Sequence, residues 1–154
     1  MTIPPLDPGT GYLPEGEHEA EWKEVVDRFG TTFKRKDLLM NLAHVLRGLR
    51  TRGVQSVLLD GSFVTNKQRP RDVEVIYFPP PGADVSSYGE FSPAGHDALK
   101  RQYKIDLWPY PSHQPGRNVM SKPITITEFF STDREGEPKG LIRIKLEGPN
   151  DPLE

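Results

Sequence analysis

The chain has 154 residues, a length that suits one domain around one modest core. Cysteine is absent, which excludes a disulfide framework, a thiolate metal site and a cysteine nucleophile, and fits a reducing, cytoplasmic setting. A formal net charge of −2 offers no bulk attraction to nucleic acid or an anionic membrane, and no apolar run approaches the ~20 residues of a membrane span.

Sixteen prolines and fourteen glycines predict much ordered loop and turn. Met1-Thr2-Ile3-Pro4-Pro5 has neither a basic nor an apolar leader region, so no signal peptide is expected. Residues 1–18 are expected to be an extended arm, leaving residues 19–154 as the domain. Trp22, Val25, Val26 and Phe29 recur with the period of one helix face, and Gly30 is placed to end that helix. Thr31 or Thr32 can cap a second helix, whose buried stripe is Leu38, Leu39, Leu42, Val45, Leu46 and Leu49. Gly53 stops it.

The period then changes. Val54–Leu59 reads as a strand, Asp60-Gly61-Ser62 as a turn, and Val73–Phe78 as a second strand rich in β-branched and aromatic residues. Pro79-Pro80-Pro81-Gly82 breaks the chain. Ser92-Pro93 opens a short helix through about Tyr103, and Ile105–Trp108 is a third strand closed by Pro109. A polar loop runs to Pro123, and residues 124–131 read equally as strand or short helix. Leu141–Leu146 alternates apolar and basic residues and reads as the last strand.

The chemistry concentrates between residues 60 and 106. Asp72 and Glu74 are two apart on a predicted strand and so share a face. Side-by-side carboxylates repel unless a cation compensates, and hard oxygen ligands of this kind suit Mg²⁺ or Mn²⁺ together with substrate phosphates. Taken alone, the pair reads more readily as the solvent face of an edge strand. Gly61-Ser62 adds a turn where backbone N–H groups and a hydroxyl can approach phosphate.

Gly61-Ser62, nine intervening residues, then Asp72-Val73-Glu74-Val75 resembles the signature of the nucleotidyltransferase superfamily of DNA polymerase β type. The chain is further similar to a small, poorly characterised bacterial and phage family of nucleotidyltransferase-like proteins. That likeness rests on Tyr12-Leu13-Pro14-Glu15-Gly16-Glu17-His18, Leu59–Thr65 and Glu128–Gly140. The resemblance implies an α/β (α+β) nucleotidyltransferase-like fold, a short mixed sheet with helices packed on one side. Asp106 in Lys104-Ile105-Asp106-Leu107-Trp108 resembles the superfamily's third acid. Asp72, Glu74 and Asp106 would then be both the metal ligands and the catalytic residues. Gly61, Ser62, Thr65, Lys67 and Arg69 would bind the nucleoside triphosphate, and the acceptor would be a protein or RNA. Asp60 departs from the pattern, standing where a hydrophobic residue is usual, as does Glu74, where many active members have Asp. The alternative is a catalytically inactive module of the same fold, such as an antitoxin, phage-encoded regulator or host-interaction factor.

Lys139-Gly140 with Arg134 reads either as a phosphate-contacting corner or as a charged hairpin. His18, His44, His96 and His113 have no metal-ligand spacing, so no zinc is expected.

Overall fold

A computed structural model describes residues 3–110 and 139–146. The sequence around Trp22 and Phe33 folds as expected into two helices, α1 (Trp22–Phe29) and α2 (Phe33–Thr51). Glu21 and Glu24 close α1 with a reciprocal capping box. Thr32 caps α2 by accepting the Arg35 N–H at 3.2 Å. Every member of the expected α2 stripe is buried, whereas Val26 of α1 is 36% exposed. Gly30 accompanies the end of α1 without adopting a left-handed conformation, its N–H bonding to Val26 O at 2.9 Å. Gly53 follows α2 at φ +86°, a backbone shape that glycine adopts without penalty.

Five strands make one mixed sheet: β1 (Gly16–Ala20), β2 (Ser56–Asp60), β3 (Val73–Tyr77), β4 (Ile105–Pro109) and β5 (Gly140–Lys145). Their order is β1-β5-β2-β3-β4, with β5-β2 and β2-β3 antiparallel and the two outer pairs parallel. A third helix, α3 (His96–Tyr103), links β3 to β4 after three single turns of 3₁₀ helix. The expected helix from Ser92 is therefore shorter, because Pro93–Gly95 forms one of those turns.

Alternation in the strands sorts their side chains between two faces. Val57, Leu59, Val75, Tyr77, Leu107, Ile142 and Ile144 share one buried core with α1, α2 and Leu99 of α3. The other face carries a smaller apolar cluster, Leu58, Ile76, Trp108 and Leu141, and also the acidic residues of the site. α1 and α2 thus pack on one side, while α3 lies by β4, with Leu99 in the core and His96 stacked on Trp108 of the opposite face.

The supposed arm, residues 1–18, runs into a strand at Gly16, which pairs in register with Gly140 of β5. Ile3 and Leu13 are buried, so this segment contributes to the core. The expected polar loop to Pro123, the ambiguous stretch 124–131 and Arg134 lie outside the described residues.

Candidate active site

Strand register builds the centre of the site. Asp60 at the end of β2 lies directly across from Glu74 of β3, and Glu74 lies beside Asp106 of β4. Three acids from three adjacent strands therefore stand abreast on the face away from α1 and α2. Asp72 immediately precedes β3 rather than lying within it, and still belongs to the same electrostatic group as Glu74 and Asp106. The structure thus brings together the three sequence-predicted acids and adds a fourth, Asp60.

Gly61 is the hinge of this arrangement. Its φ of +81° turns the chain out of β2, and a Cβ built on it would lie 2.9 Å from Glu74 Oε2. Glycine is needed here both for the turn and for the room it leaves the Glu74 carboxylate. Ser62 opens a 3₁₀ turn, Ser62–Val64, and its hydroxyl makes no hydrogen bond to a described residue. Thr65 is buried and committed to the loop: its hydroxyl donates to Ser62 O at 2.6 Å and accepts from the Lys67 N–H at 3.2 Å. That leaves Thr65 as a positioning residue rather than a phosphate ligand. Lys67 is exposed, and Arg69 lines a cleft beside Asp72.

A buried arginine holds this loop against α2. Arg35 is 2% exposed, and its guanidinium donates to the carbonyls of Phe29, Phe63, Thr65 and Lys67 at 2.5–3.3 Å. Burial pulls its pKa below the ordinary arginine value. Sequence periodicity gave no sign of this role, because an arginine early in a helix reads as surface.

Cationic side chains surround the acids. Lys139 Nζ lies 3.1 Å from Asp60 Oδ1, with Asp60 1% exposed and Lys139 17%. Lys100 Nζ lies 3.5 Å from Asp106 Oδ2 and 3.8 Å from Asp72 Oδ2. His96, one helical turn before Lys100 on α3, sets its Nε2 2.5 Å from Asp106 Oδ1 and its Nδ1 2.8 Å from Asp97 Oδ1. Its ring stacks on Trp108 at a centroid distance of 4.0 Å. The sequence did not identify His96 and Lys100, whose four-residue spacing acquires meaning once α3 is placed beside β4. Lys139, which the sequence offers either to a phosphate corner or to a charged hairpin, meets Asp60.

Electrostatics mark Glu74 as the strained member. Its pKa is pushed up to about 7, first by burial and then by the neighbouring Asp60, with Lys139 opposing and Asp106 and Asp72 adding to the rise. Asp72 is also raised, chiefly by burial, against the pull of Lys100. A carboxylate whose ionisation is opposed by burial and by neighbouring acids has much to gain from a divalent cation. The donor set is all hard oxygen and suits Mg²⁺ or Mn²⁺ in kind. As the side chains stand, no three His, Asp or Glu groups among the described residues converge to hold an ion. Lys100 and Lys139 supply the compensating charge instead, and His96 holds Asp106 through its Nε2.

Among the described residues, no helix is long and apolar enough to cross a membrane. No curated protein and no solved structure matches the chain. The model of DUF6932, a family of unknown function, matches residues 4–145, and the protein belongs to that family.

Proposed function

We propose that this protein is a metal-dependent nucleotidyltransferase that moves a nucleotidyl group from a nucleoside triphosphate to a protein or RNA acceptor. One observation carries the reading. Glu74 and Asp106 stand abreast on adjacent strands, with Asp72 beside them and the Gly61 turn folded against the Glu74 carboxylate. This arrangement supports the reading drawn from Gly61-Ser62 and Asp72-Val73-Glu74-Val75.

Asp72, Glu74 and Asp106 would hold Mg²⁺ or Mn²⁺, which supplies charge neutralisation of the triphosphate and of the attacking oxygen. The chain's own groups have distinct tasks. Ser62 Oγ and the Gly61-Ser62 backbone face the triphosphate at a turn that glycine keeps open. An acceptor hydroxyl oxygen forms a bond to the α-phosphorus as the bond from that phosphorus to the pyrophosphate oxygen breaks. The hydroxyl proton passes to the Asp106 carboxylate, which His96 holds in place through its Nε2. Lys100, already between Asp72 and Asp106, is placed to donate to a phosphate oxygen.

The ion pairs favour a second reading. Acids already matched by Lys139, Lys100 and His96 suit a catalytically inactive module that keeps the fold for binding a partner. Thermal unfolding separates the two. The metal site predicts a higher melting temperature in millimolar Mn²⁺ with nucleoside triphosphate, lost in Asp72→Asn, since a ligand bound only by the folded state stabilises it by mass action. An unshifted melting temperature in the unmutated protein supports the inactive module.

A further inference from the structure

Beside Asp72 opens a cleft of about 740 Å³ whose walls are strongly basic. Lys34 comes from α2, Arg69 and Arg71 from the loop before β3, Lys100 and Arg101 from α3, and Lys104 from the turn into β4. The acids lining it are Asp72, which faces Lys100 at 3.8 Å, and Asp97, which faces His96 at 2.8 Å. None of the five cations other than Lys100 forms an ion pair with a described residue. In a chain of net charge −2, this is a local excess that the bulk charge conceals. Like charges gathered around one cavity repel, and a polyanion relieves that repulsion.

Lys104 adds an independent sign. At φ 61° and ψ 35° it is the one non-glycine among the described residues with positive φ. Glycine or asparagine ordinarily ends a helix in this left-handed conformation, so a lysine here is a strained choice; its ammonium lines the cleft while donating to Arg101 O at 3.2 Å.

We propose that the cleft holds the backbone phosphates of a single-stranded nucleic acid and brings the strand's end to Asp72 and Asp106. This rests on the nucleotidyl-transfer reading and makes its acceptor a nucleic acid. The volume suits a ligand of one or two nucleotides rather than a duplex. No aromatic ring is among the described lining residues, so contact is to phosphate, with little dependence on base sequence. Lys100 joins the two regions, since it lines the cleft and also faces both acids.

The test is fluorescence anisotropy of the whole protein with a labelled oligouridylate of about ten nucleotides, in EDTA and without nucleotide. Two phosphate contacts, as many as the nucleotides in the cleft supply, predict that log affinity falls with log salt at a slope of about −1.4. Arg71→Gln with Lys104→Gly should reduce the slope to about −0.7 and weaken binding about tenfold at low salt. That variant should melt no lower than the unmutated protein, because Lys104→Gly removes strain. Lys23→Gln with Arg47→Gln removes the same charge elsewhere and should leave binding unchanged.

Absence of binding, or equal loss in both double variants, overturns the proposal. So does inorganic triphosphate binding at the cleft where the oligonucleotide does not, which assigns the cations to the nucleotide's own phosphates. Oligonucleotide binding with no Mn²⁺-dependent stabilisation defeats the transfer reading and leaves the strand-binding cleft standing. The reverse pattern defeats the cleft and leaves the transfer reading intact.

Discussion

Asp60 and Glu74 face each other across the antiparallel β2–β3 pair, two acids with Asp60 almost fully buried and Lys139 on its far side. Ionisation of Glu74 is opposed by this geometry, and its pKa lies near 7 in the folded protein against 4.5 for the free side chain. A raised carboxyl pKa means that the folded chain binds this proton more tightly than the unfolded chain. Stability from this group is therefore complete below pH 4.5 and is lost as pH rises through 7. Glu74→Gln cannot ionise and should escape the loss. In EDTA, urea unfolding should show the variant close to the unmutated protein at pH 4.5 and more stable by up to about 3 kcal/mol at pH 8. Parallel pH profiles would show that Glu74 is ionised at no cost in the fold.

Gly61→Ala meets two obstacles at once. At φ +81° and ψ −168° the backbone lies in a region that only glycine adopts readily, at a cost of about 1–3 kcal/mol to a residue with a Cβ, and the added carbon crowds the Glu74 carboxylate. Chemical denaturation should register a loss of about 1–3 kcal/mol. The pH dependence assigned to Glu74 should change with it, since the carboxylate must move. A neutral substitution would mean that Gly61 is an ordinary turn residue.

Leu42 sits fully buried in the middle of the α2 stripe, where the helix covers the sheet. Leu42→Ala removes packed methyl groups and leaves a cavity, so urea unfolding should report a loss of about 2–5 kcal/mol. A neutral result would contradict the burial of this face.

The helical stripe from Leu38 to Leu49 was legible because six apolar residues recur with the period of one face, and Thr32 supplies its start. The strands carrying Glu74 and Asp106 were legible from Val73, Val75, Ile76, Ile105 and Leu107. β1 was not: Gly16-Glu17-His18-Glu19-Ala20 is polar, and its pairing depends on β5, more than a hundred residues later. Asp60 was placed in the turn because a polar residue after Val57-Leu58-Leu59 looks like the end of a strand. Its burial follows from Glu74 and Lys139, which sequence spacing does not bring near it. Arg35, His96 and Lys100 acquire their roles from carbonyls and carboxylates contributed by other elements, so no local pattern announces them. The basic cleft was hidden for a related reason: Lys34, Arg71 and Lys104 are scattered in the chain, and acids elsewhere cancel them in the total.

The most direct measurement is transfer itself, made on the three carboxylates singly and in combination. The protein is incubated with each α-labelled nucleoside triphosphate, Mn²⁺ and a cell lysate, and label is sought in protein and RNA. If Asp72, Glu74 and Asp106 share one site, Asp72→Asn, Glu74→Gln and Asp106→Asn should each abolish most of the label. Combining them should lower it little further, because groups that act as a unit are far from additive. Label that appears with the unmutated protein and vanishes with any single substitution is the predicted result. No label from any nucleotide, with the triple variant still retaining a partner in a pull-down, would contradict catalysis and leave a binding module.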